Sequence, residues 1–147
     1  MYRRILIATD GSELSERAIK EGVDLARHVG AELCAVYAVS NYVPPVEAIA
    51  PVYYLPTLDE YQSRAEQEAE KVLEAVSAAA DDAGVPCETE WALSDDPYRL
   101  ILDVAERRGC DLVVMASHGR RGLSGLILGS ETVRVLTHST IPVLVVR

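Results

Sequence analysis

The chain reads as one α/β domain, residues 1–147, built on a parallel sheet with helices on both faces. Three observations predict this. Strand and helix signals alternate from end to end as βαβαβαβαβ. Most of the strand candidates are nearly unbroken apolar runs, as expected of strands covered on both faces rather than one. The length of 147 residues suits a single domain with a core large enough to fold without disulfide or metal staples.

Each element follows from its residues. Arg4 to Thr9 is the first apolar run. Ser12 is placed to cap a helix whose apolar stripe is Leu14, Ala18, Ile19, Val23, Ala26 and Val29, and Gly30 stands where such a helix stops. Glu32 to Val39 is the second strand. Thr57 and Glu60 form a Thr-x-x-Glu capping box. It opens a long helix with Tyr61, Ala65, Ala69, Val72, Leu73, Val76 and Ala80 on one face, ended by Gly84. Pro86 to Leu93 is the third strand. Asp96-Pro97 starts a helix with proline in its first turn. Leu100, Ile101, Val104 and Ala105 are its buried stripe and Gly109 its stop. Leu112 to Met115 and Pro142 to Val146 are the fourth and fifth strands, joined through a glycine-bearing loop and a short helix.

Composition narrows the function. The formal net charge is −9, and the close basic pairs are Arg3-Arg4, Arg107-Arg108 and Arg120-Arg121, which disfavours a nucleic-acid binder. No apolar stretch approaches the length of a membrane span, and Asp10 interrupts the first run well short of a secretory signal. A soluble cytoplasmic protein is the expectation. Cys34, Cys87 and Cys110 have neither zinc nor Cys-x-x-Cys spacing, and read as small core residues in a reducing compartment.

In a doubly wound sheet, ligands bind beyond the carboxyl ends of the strands, where the winding reverses. Two loops look specialised there: Thr9-Asp10-Gly11-Ser12 after the first strand, and Ser117 to Ser130 after the fourth. The second has neither a P-loop lysine nor Gly-x-Gly-x-x-Gly. It offers Gly119, Gly129, the Ser130 hydroxyl and the N–H groups of Ser130, Glu131 and Thr132 at a helix start, which suits phosphate. Ser130 as a plain helix cap is the simpler alternative. Asp10 either bonds its own turn or meets a ligand. His118 lacks a carboxylate neighbour in sequence, so it is a poor candidate base. Arg120 and Arg121 read as solvated loop charges. Residues 40–58, with four prolines and three tyrosines, are either an irregular crossover or a lid.

The spacing Ala116-x-x-Gly119, nine residues, Gly129-Ser130 resembles the Gly-x-x-Gly, nine residues, Gly-Ser/Thr nucleotide signature of the universal stress protein family. Ile5 to Ser12 is similar to that family's first strand and turn, and the last two apolar runs to its fourth and fifth strands. The resemblance implies a five-stranded parallel sheet of order 3-2-1-4-5 and binding of ATP, with magnesium. Ala8, Thr9, Asp10, Ala38, Met115, Ala116, Ser117, His118, Gly119, Gly129, Ser130, Glu131 and Thr132 would be its binding residues. Asp10 would lie near ribose and phosphates, through a metal ion. Main-chain groups of Ala38 would read adenine. Gly119, Gly129, Ser130 and Thr132 would hold phosphates. The signature's first glycine is Ala116 here; were that backbone left-handed, alanine would cost roughly 1–2 kcal/mol.

The last strand is expected at a sheet edge, which pairing with its copy in a homodimer would cover. The expected activity is that of an ATP-dependent regulatory switch in stress response, with no catalytic residues. The rivals are a slow nucleotide hydrolase on the same fold and an interaction module without nucleotide.

Overall fold

A computed structural model describes residues 1–41, 56–119 and 128–147. Its elements are β1 (Arg4–Ala8), α1 (Glu13–Val29), β2 (Glu32–Val39), α2 (Leu58–Ala83), β3 (Cys87–Leu93), α3 (Pro97–Arg107), β4 (Leu112–Ala116), α4 (Ser130–His138) and β5 (Val143–Val146). All strand pairings are parallel, in the order β3-β2-β1-β4-β5. The winding therefore reverses at β1, which lies between β2 and β4.

Two strands begin one residue later than the sequence predicts, for one reason. Pro86 and Pro142 have no N–H to add to a ladder, yet their carbonyls accept from Leu33 (2.8 Å) and Val113 (3.0 Å) just ahead of β3 and β5. β4 runs one residue beyond its expected end, because Ala116 pairs with Val146. β3 is not an apolar run. It is an edge strand, and its Glu90 accepts from Arg107 (2.6 Å) and Arg108 (2.9 Å), while Glu88 pairs with Arg108 (2.9 Å).

The helix starts follow local chemistry. Ser12 accepts from the Ser15 N–H to cap α1, and Thr57 and Glu60 cap α2 reciprocally, at 3.2 and 2.8 Å. Asp96 contributes no side-chain cap to α3. Glu131 of α4 takes that place, accepting from the Tyr98 N–H at 2.8 Å.

Alternation along the central strands splits the core in two. Ile5, Ile7, Leu33, Ala35, Leu112 and Val114 face α1 and α2. Leu6, Cys34, Val36, Val113 and Met115 face α3 and α4, with Ile101, Val104 and Val135. Both faces of the sheet are thus covered, and the carboxyl ends of β1 and β4 are rigidly framed. Among the described residues no helix is long and apolar enough to cross a membrane.

Candidate functional site

A cleft of about 680 Å³ opens at the carboxyl ends of β1, β2 and β4. Its position follows from the topology: β1 and β4 are hydrogen-bonded neighbours with Ala8 beside Met115, so the two glycine-bearing loops emerge side by side. Ala8, Thr9, Asp10, Ala38, Met115, Ala116, His118, Gly119, Gly129, Ser130, Glu131 and Thr132 all line it. Ser117, which was grouped with them on sequence, does not; it is buried, and its hydroxyl lies 3.1 Å from Nδ1 of His118.

The end of the cleft at the glycine loop is built by main-chain approach. Gly129 donates to the Ser117 carbonyl (2.8 Å), closing the loop onto the helix start. A Cβ on Gly129 would stand 3.1 Å from His118 Cα, tighter than ordinary contact. A Cβ on Gly119 would overlap the Asp10 carboxylate. Asp10 is oriented by its turn: Oδ1 accepts from the Ser12 N–H (3.0 Å) and the Ser15 hydroxyl (2.5 Å). The turn role and the cleft position are therefore held together by one side chain, and they do not compete.

Ser130 is not the cap of α4. The N-cap is Gly129, in extended conformation, and among the described residues no side chain caps the helix. The residues at the start of α4 therefore line the cleft, with no capping hydroxyl on their main-chain donors among the described residues. The Thr132 hydroxyl points the other way, donating to the carbonyls of Ala116 (3.0 Å) and Ser117 (3.1 Å), so it braces the loop from beneath. What Thr132 can offer an anion is its amide. Glu131 is likewise engaged, by Tyr98 and by Arg134 at 3.2 Å.

Ala116 is an ordinary strand residue. No described non-glycine residue has positive φ, so the left-handed penalty does not arise, and its methyl simply lines the cleft wall.

The opposite end was largely missed on sequence. Val36, Pro97 and Ile101 supply apolar wall, and Tyr37, Ser40, Tyr61, Glu68, Ser94 and Asp95 supply polar atoms. Tyr37 donates to Glu68 (2.9 Å), and Asn41 donates to Asp95 from its backbone and side-chain amides (3.0 and 2.9 Å). Those two bonds hold the Asp95 carboxyl below the usual carboxylate range. These residues sit far apart in sequence on three elements, and none carries a motif. The apolar stripe containing Ile101 was visible, though not that its first turn would reach a ligand-sized cleft.

Most of the proline- and tyrosine-rich segment, residues 42–55, and both Arg120 and Arg121 lie outside the described residues. Among the described residues no three His, Cys, Asp or Glu side chains gather as a metal site. His118 has the Ser117 hydroxyl as its partner and no carboxylate among the described residues.

Comparison with known proteins follows this geometry. Residues 1–147 match the universal stress protein family. The chain is 34% identical to the universal stress protein YxiE of Bacillus subtilis, over all of both chains. Its structure is similar to that solved for MJ0577 of Methanocaldococcus jannaschii, with a TM-score of 0.80, 28% identity, and coverage of 99% of this chain and 96% of that one. The Archaeoglobus fulgidus universal stress protein, solved in complex with dAMP, shares the fold at 19% identity and a TM-score of 0.71, over 99% and 98% of the two chains. Sequence match, strand order and the placement of the two glycine loops converge: the chain belongs to the universal stress protein family.

Proposed function

We propose that the cleft binds an adenine nucleotide, ATP being the intended ligand, and that the nucleotide acts as a regulatory switch rather than as a substrate to be turned over. One observation carries this reading. The start of α4 opens on the cleft with glycine at its N-cap and, among the described residues, no capping side chain. An uncapped helix start aimed into a cleft favours an anion through its unpaired amides and its dipole.

The remaining geometry is in keeping. The apolar wall of Val36, Pro97 and Ile101 offers a place for a purine face, and Ala38 lies beside it on β2. Proteins of this fold have been solved with dAMP, cAMP and AMP; at 18–22% identity they speak for the fold, so the weight rests on this chain's own residues. Magnesium fits as a companion of the phosphates, which is how that ion is usually held, through one or two carboxylates plus phosphate oxygens. Asp10 is a carboxylate at that end, the neighbouring Glu131 being engaged by Tyr98 and Arg134. The ion would neutralise phosphate charge beside it.

A switch requires that ligand favour one of two states. Gly119, just after β4, is the point that both Asp10 and the nucleotide would contact. The β5 edge, where Leu144 is 39% exposed, is the surface on which a homodimer would form, in a cytoplasmic setting. Mass spectrometry of nucleotide released from freshly purified protein, with calorimetric titration of ATP, AMP and their magnesium complexes, tests the reading. No heat of binding at millimolar nucleotide would remove it. Turnover above about 1 s⁻¹, within the enzymatic range, would favour the hydrolase instead.

A further inference from the structure

Glu131 stands in the first turn of a helix whose start lines the cleft, yet its carboxylate reaches to a different helix. Oε2 accepts from the Tyr98 N–H at 2.8 Å, and Oε1 accepts from Nη1 of Arg134 at 3.2 Å. The start of α3 depends on the first of these bonds. Its leading residue, Pro97, has no N–H, and Asp96 gives it no side-chain cap among the described residues. Tyr98 therefore carries the first N–H of the helix, and Glu131 takes it. Arg134 closes a triangle, because its guanidinium also lies 5.6 Å from the centre of the Tyr98 ring, within cation–π range. Further along α4, the His138 ring packs on that of Tyr98 with centroids 5.2 Å apart. Successive turns of α4 thus grip one residue of α3.

The gripped parts border different stretches of the cleft. Pro97 and Ile101, on either side of Tyr98, supply apolar wall, while Ser130 and Thr132, on either side of Glu131, line the glycine-loop end.

We propose that Glu131 is a positioning residue: by capping α3 from α4 it fixes the apolar wall relative to the α4 start, so that the base and the phosphates of one nucleotide are held together. This role presupposes that the cleft holds a nucleotide, and it names what sets the span of that ligand.

Charge by itself gives the opposite expectation. A carboxylate in the first turn of a helix competes with a docked anion for the positive end of the dipole and repels it. Were that its whole effect, removing the charge would tighten a polyphosphate. Spacing acts the other way. A ligand that joins two subsites gains from the join only when both are met at once, so a shifted wall weakens the whole nucleotide and spares its parts.

Calorimetric titration of ATP, with adenosine measured by its displacement of ATP, separates the two on wild-type protein and two variants. Glu131→Asp keeps the charge but is one methylene shorter than the reach to the Tyr98 amide requires. It should weaken ATP about tenfold and leave adenosine within about twofold. Glu131→Gln keeps the length and an acceptor oxygen but drops the charge, and should bind ATP at least about fivefold more tightly than Glu131→Asp. ATP unchanged in Glu131→Asp, ATP tighter than wild type in Glu131→Gln, or equal losses of ATP and adenosine in Glu131→Asp would each overturn the proposal. So would a wild type that bound ATP but not adenosine. A wild type that bound no ATP is a separate result, which removes the nucleotide reading itself and this role with it.

Discussion

The Asp10 carboxylate occupies the space that any side chain on Gly119 would need. The two residues come from different loops, after β1 and after β4, and meet only because those strands are neighbours. Gly119→Ala must displace a carboxylate that the Ser12 amide and the Ser15 hydroxyl hold in place. The expected result is a nucleotide Kd raised about tenfold or more, equal to roughly 1.4 kcal/mol, with the melting temperature little changed. Calorimetric titration measures it, and an unaltered Kd would show that the loop re-forms freely around a methyl group.

Ala116 stands at the first position of the glycine signature, in β4, with its backbone paired to Val146. Since no left-handed conformation is required there, Ala116→Gly should shift the nucleotide Kd by less than about tenfold. It should also destabilise the strand by roughly 0.5–1 kcal/mol through added chain entropy. A tenfold gain in affinity would instead identify the methyl as an obstruction in the cleft.

Thr132 braces the loop through one hydroxyl shared between two carbonyls. Thr132→Val keeps the volume and removes the donor. Leaving buried carbonyls without it should cost about 1–3 kcal/mol in a urea denaturation and weaken nucleotide binding alongside. Thr132→Ser, which retains the hydroxyl, should recover both. Failure of serine to recover binding would point to the methyl, not the hydrogen bonds.

Glu90 governs a pH dependence remote from the cleft. The Arg107 guanidinium, against the effect of partial burial and helped by Arg108, lowers the Glu90 pKa. A carboxyl whose folded pKa is depressed contributes stability above its unfolded value, about 4.3, and loses that contribution as pH falls through the folded pKa. Glu90→Gln should therefore be less stable than wild type by roughly 1 kcal/mol near neutrality, with the gap closing as acid is added below about pH 4. A gap that persisted unchanged into acid would mean that charge is not what Glu90 supplies.

The β5 edge yields a test of assembly. Val145→Lys places a charge on the terminal strand and should convert a homodimer to monomers, read by light scattering. A dimer mass that survived the substitution would locate the interface elsewhere.

Much of the fold was legible because its signals are local. Thr57 and Glu60 announce the start of α2 within four consecutive residues, and the Ala65-Ala69-Val72 spacing gives its buried face. β3 was legible as an element, and as an edge only through the sheet order that the family resemblance implied; Glu88 and Glu90 make sense once Arg107 and Arg108 are seen beside them. The cap of α3 was invisible for the same reason, since Glu131, which binds the Tyr98 amide, belongs to another helix. Ser130, the residue type that favours a cap, proved to be the first residue inside α4, because Gly129 closes on the Ser117 carbonyl and takes the cap position.

The amino-acid order alone determined the alternation of strands and helices, where most of them begin, and the glycine spacing by which the loop after β4 is recognised, because hydrophobic period, capping and turn chemistry act over a few residues. Only the tertiary structure decided that Asp10 would lie on Gly119 and that Glu68 and Asp95 would share a cleft with the α4 helix start. Those contacts depend on which strands lie side by side, a choice made by packing the whole chain on both faces of one sheet, and no short stretch of residues encodes it.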